Sequence, residues 1–365
     1  MHAAQSAPRQ GIRTVGNVLA LPEARWQSHF LRACRGEPTT RTPVWLMRQA
    51  GRYMQHYRGI RAGGSFLDLC KNPALAAEVT LYAREWLGVD AAIIFSDILI
   101  VLEALGMPLE FTTGDGPRLT PLTGPASIAA LRDPLAAAAD LGYVHEALRL
   151  TVAGLPADIP CIGFCGAPFT LAAYAIEGGS SRQFARTRAF MYNEPAAWHH
   201  LMSTLVATLA PYLNQQIAAG AACVQIFDSW VGILTRADFI EFVQPHLTRL
   251  IDQLTPGVPV IVFGTGTGHL LDLLVACGGD VIGLDATVDL DAEWCRLGGP
   301  ARTAIQGNLD PAFLLAPASR LTAAARAVMA QVAGRPGHVF NLGHGVFKET
   351  NPEQARLLVQ VIHGD

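Results

Sequence analysis

Short apolar runs recur along the chain, each followed by a turn and then by a helical pattern. Eight runs have this character: Val44–Met47, Ala91–Phe95, Cys161–Phe164, Cys223–Phe227, Val260–Phe263, Val281–Leu284, Thr303–Gln306 and His338–Asn341. Runs that do not alternate apolar with polar residues fit strands buried on both faces, as in parallel sheets. Helical patterns lie between them, at Pro73–Leu87, Glu194–Ala219, Ala237–Leu254, Leu270–Ala276 and Pro311–Val332. Asn72-Pro73, Asp310-Pro311 and Asn351-Pro352 each place a capping side chain before a proline at the first helical position. Strand and helix in alternation predict right-handed βαβ units. Eight such units predict a single (β/α)8 TIM barrel, although an open doubly wound sheet shares the local pattern. No repeat and no low-complexity linker divides the chain. The expectation is one barrel domain over residues 23–365, preceded by a loosely ordered extension over residues 1–22.

Polar residues resume just after the strand candidates: Arg48, Asp97, Asp228-Ser229, Asp285, Asn308 and His344. In a barrel enzyme the active site is built at the C-terminal ends of the strands, so this placement is the one an active site requires. Strand ends are also where polarity resumes in any protein, so position alone assigns no role.

Composition narrows the class. The chain has 365 residues, 50% hydrophobic and 16% charged, which excludes disorder and collagen-like or disulfide-scaffold architectures. The most apolar stretch, residues 89–105, is broken by Asp90, Asp97 and Glu103 and falls short of the ~20 residues of a membrane span. The N-terminus lacks the apolar core of a secretory signal. Seven cysteines, an odd number with no C-x-x-C pair, read as buried thiols and not as a disulfide framework or zinc site. These features predict a cytoplasmic protein. With 27 basic and 30 acidic residues the net charge is -3, which supplies no global field for nucleic acid.

That near-neutral total conceals a segregation. Residues 38–67 contain five arginines (Arg41, Arg48, Arg52, Arg58 and Arg61) and no aspartate or glutamate. Arginine offers planar, bidentate recognition of carboxylate or phosphate. Arg41 and Arg61 read as pairing elsewhere in the fold or facing solvent. Arg48, at the end of an apolar run, and Arg52 read as anion-binding, and Gly51 between them would let backbone amides approach a ligand closely.

The arginine segment contains PVWLMRQAGRY (Pro43–Tyr53), which resembles the N-terminal signature of the uroporphyrinogen decarboxylase family. GFCGAPFTLAAYAIEGGSS (Gly163–Ser181) resembles that family's second signature. The likeness continues in order through FSDILIV (Phe95–Val101), GDGPR (Gly114–Arg118), IFDSWVG (Ile226–Gly232), QGNLDP (Gln306–Pro311) and NLGHGV (Asn341–Val346). It implies a homodimeric (β/α)8 barrel that works without cofactor or metal, converting the four acetates of uroporphyrinogen III to methyls and giving coproporphyrinogen III for haem and chlorophyll precursors. It also implies roles. Asp97 would accept hydrogen bonds from pyrrole N–H groups and stabilise a cationic transition state. Arg48 and Arg52 would hold substrate carboxylates, with Arg48, Tyr174 and His344 counted as catalytic. Gln49, Ala50 and Gly51 would contact substrate through backbone amides, and Ser229 through its hydroxyl. The chain departs from the family pattern at Gln55-His56, where a Pro-Glu pair is usual, and at Gly264–Gly268, where a lysine is usual.

A competing signal lies at Val260–Asp285: strand, GTGTG, helix, strand and an acid ~20 residues on, the arrangement that holds a nucleotide ribose in S-adenosylmethionine-dependent methyltransferases. Cobalamin-linked, zinc-dependent methyltransferases share the expected barrel, but they need a His/Cys ligand set. His269, Cys277 and Cys295 lack the spacing for one.

Overall fold

The structure, a computed structural model, describes Asn17, residues 19–112 and residues 116–365. Most of the extension expected over residues 1–22 lies outside the described residues. The strands are β1 (Ala92–Ile93), β2 (Leu109–Thr112), β3 (Gly116–Leu119), β4 (Cys161–Gly166), β5 (Cys223–Asp228), β6 (Val260–Gly264), β7 (Val281–Gly283), β8 (Ala304–Gln306) and β9 (His338–Val339). Seven of them form one curled, wholly parallel sheet in the order β1-β4-β5-β6-β7-β8-β9. Every residue of β4 and β6 is buried, the two-sided burial that their unbroken apolar sequence requires. β2 and β3 pair separately as an antiparallel hairpin, with Leu109 opposite Leu119. This hairpin has no counterpart in the apolar-run pattern.

The first expected strand differs most from its pattern. Of Val44–Met47, only Val44 joins a ladder, as a single parallel bridge to Phe340. On the other side its carbonyl accepts from Asp90 N–H at 2.8 Å. The ladder stops because side chains take over its polar groups. Leu46 N–H donates to Gln49 Oε1 and Met47 N–H to Asn341 Oδ1, while Gln49 N–H turns back onto the Leu46 carbonyl at 2.9 Å. The chain reverses there, with Arg48 in the left-handed region at φ +64°.

A buried polar chain ties distant segments of the sheet together. Trp45 Nε1 donates to Gln306 Oε1, Gln306 Nε2 to Gln225 Oε1, and Gln225 Nε2 to Met47 Sδ. It links the Val44 segment, β5 and β8 with every amide partnered, the condition under which buried polar groups are tolerated.

Helices follow their sequence signals closely. Asn72 caps Pro73–Leu87 through Leu75 N–H, and Gly88 ends that helix at φ +73°. Asp310 and Asn351 cap as expected. The pattern over Ala237–Leu254 is not one helix. Pro245 lacks the N–H that would continue the ladder, and a π turn at Phe239–Val243 precedes the α-helix Gln244–Asp252. Likewise Pro317 divides a 3-10 turn at Pro311–Leu315 from the helix Ala318–Val332. All seven cysteines are unpaired and only Cys295 is exposed. No helix among the described residues is long and apolar enough to cross a membrane.

Candidate active site

Because the seven strands run parallel, their C-terminal ends share one edge of the sheet, and the singled-out residues gather there. Asp97 lies four residues after β1, Tyr174 on the helix Pro168–Glu177 after β4, Ser229 directly after β5, and His344 five residues after β9. Arg48 joins them from the turn that follows Val44. Two hydrogen bonds carry it there: Met47 N–H to Asn341 Oδ1 at 3.0 Å and Val346 N–H to the Met47 carbonyl at 2.9 Å. They stitch the Arg48 turn to the His344 loop.

The glycines around His344 have steric reasons. A Cβ on Gly345 would collide with the Cγ, Cδ and Nε of Arg48, so the arginine stem lies on a bare Cα. A Cβ on Gly343 would meet the backbone of Ala286. A non-glycine residue in the left-handed region costs about 1–3 kcal/mol. The surrounding bonds hold Arg48 in that conformation.

The five arginines of the acid-free segment separate by partner. Arg41 pairs with the buried Asp90 at 2.6 Å. Arg58 donates to the carbonyls of Arg52 and Tyr53, and Arg61 to that of Gly64. Arg48 and Arg52 have no carboxylate partner among the described residues. Both side chains are exposed. Protein nonetheless crowds Arg48 enough to lower its pKa, against the opposing pull of Tyr174 and Asp97.

Asp97 is half-buried. Its Oδ1 accepts from Leu99 N–H at 2.8 Å, and Oδ2 has no partner among the described residues. Burial pushes its pKa up to about 6, with the Leu99 amide and Arg48 opposing. One oxygen is anchored and the other is available, on a carboxylate that is mainly ionised near neutral pH. Burial lowers the His344 pKa and the Arg48 charge lowers it further, so the imidazole is neutral. Burial raises the phenol of Tyr174, whose ring meets Trp230 edge-on at 6.0 Å.

Gln49 is fully buried and internally occupied. Its carboxamide bonds Leu46 N–H and the Ala91 carbonyl, its amide bonds Leu46, and its carbonyl accepts from Tyr53 O–H at 2.7 Å. The amides of Ala50 and Gly51 donate to no protein acceptor among the described residues. Ser229 is half-buried, and its carbonyl accepts from Thr265 Oγ1 at 2.7 Å.

Asp285, the acid that a nucleotide reading would assign to a ribose, is already surrounded by protein donors. Its Oδ2 accepts from the amides of Gly266 and Thr267 at 2.5 and 3.3 Å, and its Oδ1 from the amide and hydroxyl of Thr287 at 2.7 and 2.5 Å. The GTGTG turn is folded onto this carboxylate, which leaves neither to receive a ribose. Among the described residues no three His, Cys, Asp or Glu side chains are grouped to hold a metal ion. Sequence reasoning passed over Thr170 and Asn341. Asn341 carried a signal, as a polar residue ending an apolar run, whereas Thr170 inside GAPFT carried none beyond the motif.

A sequence model of the uroporphyrinogen decarboxylase (URO-D) family matches residues 26–364. A protein of Koribacter versatilis named uroporphyrinogen decarboxylase is 47% identical over 339 residues, covering 92% of this chain and 95% of its own. Its namesake in Roseiflexus sp. is 48% identical over 343 residues, covering 92% and 98%. Among solved structures, a methyltransferase from Methanosarcina mazei aligns with a TM-score of 0.78 at 19% identity, covering 92% of this chain and 97% of the other, a likeness of fold.

Proposed function

The chain belongs to the uroporphyrinogen decarboxylase family, and we propose that its reaction runs at the cluster of Asp97, Arg48, Arg52, Tyr174, Ser229 and His344. The observation that carries this assignment is the pairing of two arginines that lack carboxylate partners with a half-buried carboxylate that has one free oxygen. The reaction is the loss of CO2 from four acetate side chains of uroporphyrinogen, giving coproporphyrinogen, a carboxy-lyase activity within porphyrin biosynthesis.

The chemistry follows from the groups present. Decarboxylating an acetate leaves an electron pair that needs a sink. A pyrrole ring protonated at carbon provides one without a cofactor. The resulting cation needs a fixed anion beside it, and preorganised charge of this kind is commonly the largest catalytic contribution. Asp97 supplies it: Leu99 N–H holds one oxygen while the other accepts from pyrrole N–H groups. Arg48 and Arg52 take substrate carboxylates, for which an acid-free segment is suited. Arg48 orients the reacting acetate and is too weak an acid to be assigned as the proton donor. The amides of Ala50 and Gly51 are free to add hydrogen bonds, while Gln49 supports the turn from behind. Neutral His344, Tyr174 and Ser229 complete the rim.

We read the architecture as one closed eight-stranded barrel over residues 23–365. Support comes from the Val44 segment, which bonds Phe340 beyond β9 on one side and Asp90 before β1 on the other, and from the glutamine chain across the interior. The homodimer and cytoplasmic location implied by the family likeness belong to this reading. Anaerobic incubation with uroporphyrinogen III, with products separated by carboxyl number, tests the activity, and sedimentation tests the assembly.

A further inference from the structure

Asp228, the last residue of β5, is 1% exposed. Its Oδ1 accepts from the Thr170 hydroxyl at 2.6 Å, while Oδ2 is buried with no partner. Burial raises its pKa to about 7 against the hydroxyl and amide of Thr170. Thr170 stands in the first turn of the helix Pro168–Glu177, whose N-cap residue, Ala167, has no side chain able to cap it. A carboxylate from the next strand therefore sits at the first turn of a helix that its own cap residue leaves uncapped, and bonds the Thr170 hydroxyl there. The same hydroxyl oxygen accepts from the backbone N–H of Trp230 at 3.3 Å. Thr170 is thus the shared node between β5, the loop after it and the helix.

Two of the candidate substrate groups hang on this node. Tyr174 is four residues after Thr170, one turn along the same helix face. Ser229 lies between Asp228 and Trp230 in the chain. The Tyr174 ring rests on Trp230, which in turn packs on Phe184 with centroids 4.8 Å apart.

We propose that Asp228 is a positioning residue: through Thr170 it fixes the register of the Tyr174 helix against the Ser229 loop and so sets how the two hydroxyls face the substrate. This rests on the assignment of uroporphyrinogen turnover to the site. A cap that merely stabilised the helix would need neither the bond to Trp230 N–H nor a position beside Ser229.

The test compares Thr170→Val, Thr170→Ser and Asp228→Asn with the unaltered chain in anaerobic uroporphyrinogen turnover. Thermal unfolding of each variant and kcat per folded molecule are recorded. Thr170→Val keeps the outline of the side chain and removes the shared hydroxyl; the Asp228 carboxyl and the Trp230 amide lose that partner, so the melting temperature is expected to fall while the chain still folds. It is expected to lower kcat about tenfold or more, since small misplacements of reacting groups cost that much. KM should stay within about threefold, because the arginines that hold the carboxylates are untouched. Thr170→Ser should restore kcat, and Asp228→Asn, which keeps an acceptor oxygen, should fall between. A lowered melting temperature with unchanged kcat per folded molecule would overturn the proposal, leaving Asp228 as a helix cap. So would failure of Thr170→Ser to rescue. Absence of turnover by the unaltered chain would instead overturn the functional assignment, and this inference with it.

Discussion

The side-chain stem of Arg48 lies directly on the Cα of Gly345, with no room for a Cβ between them. One residue of the His344 loop therefore sets where the guanidinium of another loop points. Gly345 does not occupy the left-handed region, so a side chain there carries no backbone penalty. What an added methyl meets is a flexible arginine and not a backbone. Gly345→Ala is therefore expected to fold with a melting temperature within a few degrees of the unaltered protein. It should lower kcat/KM at least about tenfold by turning Arg48 away from the reacting carboxylate. Kinetics beside thermal unfolding check this.

Gly343 gives the contrasting case. Its missing Cβ faces the backbone of Ala286, which cannot swing aside. Gly343→Ala is expected to destabilise the fold by about 2 kcal/mol or more, a strain effect of the size seen for overpacking. Denaturant unfolding of the two alanine variants side by side would show the difference.

Asp97 carries a charge where burial disfavours it. With its pKa raised to about 6, the carboxylate loses its charge as pH falls through that value. Turnover should fall with it on the acid side. Stability moves the other way. The folded pKa lies above the value of 3.8 for an unperturbed aspartate, so ionisation penalises the folded state. The penalty is absent below about pH 4, grows between the two values and is complete above about pH 6. Asp97→Asn should therefore abolish most turnover while raising stability at pH 8 by about 1–3 kcal/mol, with the gain vanishing in acid. Unfolding curves across that pH range, with turnover at each, check both signs.

Asp285 holds the GTGTG turn through four donors. Asp285→Ala should strand them and destabilise the protein by about 2–4 kcal/mol. Because the carboxylate is occupied, the unaltered chain should show no saturable binding of S-adenosylmethionine by calorimetry. Stoichiometric binding would reopen the methyltransferase reading. Turnover should also persist in EDTA with no cofactor added.

Much of this fold is legible in the sequence. Seven apolar runs became the seven parallel strands, because two-sided burial leaves an unbroken apolar imprint. The first run, Val44–Met47, stays a single bridge at Val44, since the side chains of Gln49 and Asn341 take the polar groups of Leu46 and Met47, a competition that apolar pattern does not record. The β2–β3 hairpin left little apolar signal, although the Asp115-Gly116 pair beside it is a turn signal in the sequence. The acid-free arginine segment stands out in the sequence, and Arg41 is already expected there to pair elsewhere, but neither Asp90 as its partner nor the carbonyls that Arg58 and Arg61 hold can be named from it. Long-range partners of that kind, like Asp228 with Thr170 at 58 residues' separation, are set by packing.

The assignment of decarboxylation to Asp97 turns on one measurement: anaerobic incubation of the purified chain with uroporphyrinogen III, followed by separation of the products by number of carboxyl groups, with Asp97→Ala alongside. Stepwise conversion of the eight-carboxyl substrate to the four-carboxyl product by the unaltered chain is expected, and almost none by a folded Asp97→Ala. An unchanged eight-carboxyl substrate, or a folded Asp97→Ala variant with near-normal kcat, would contradict it.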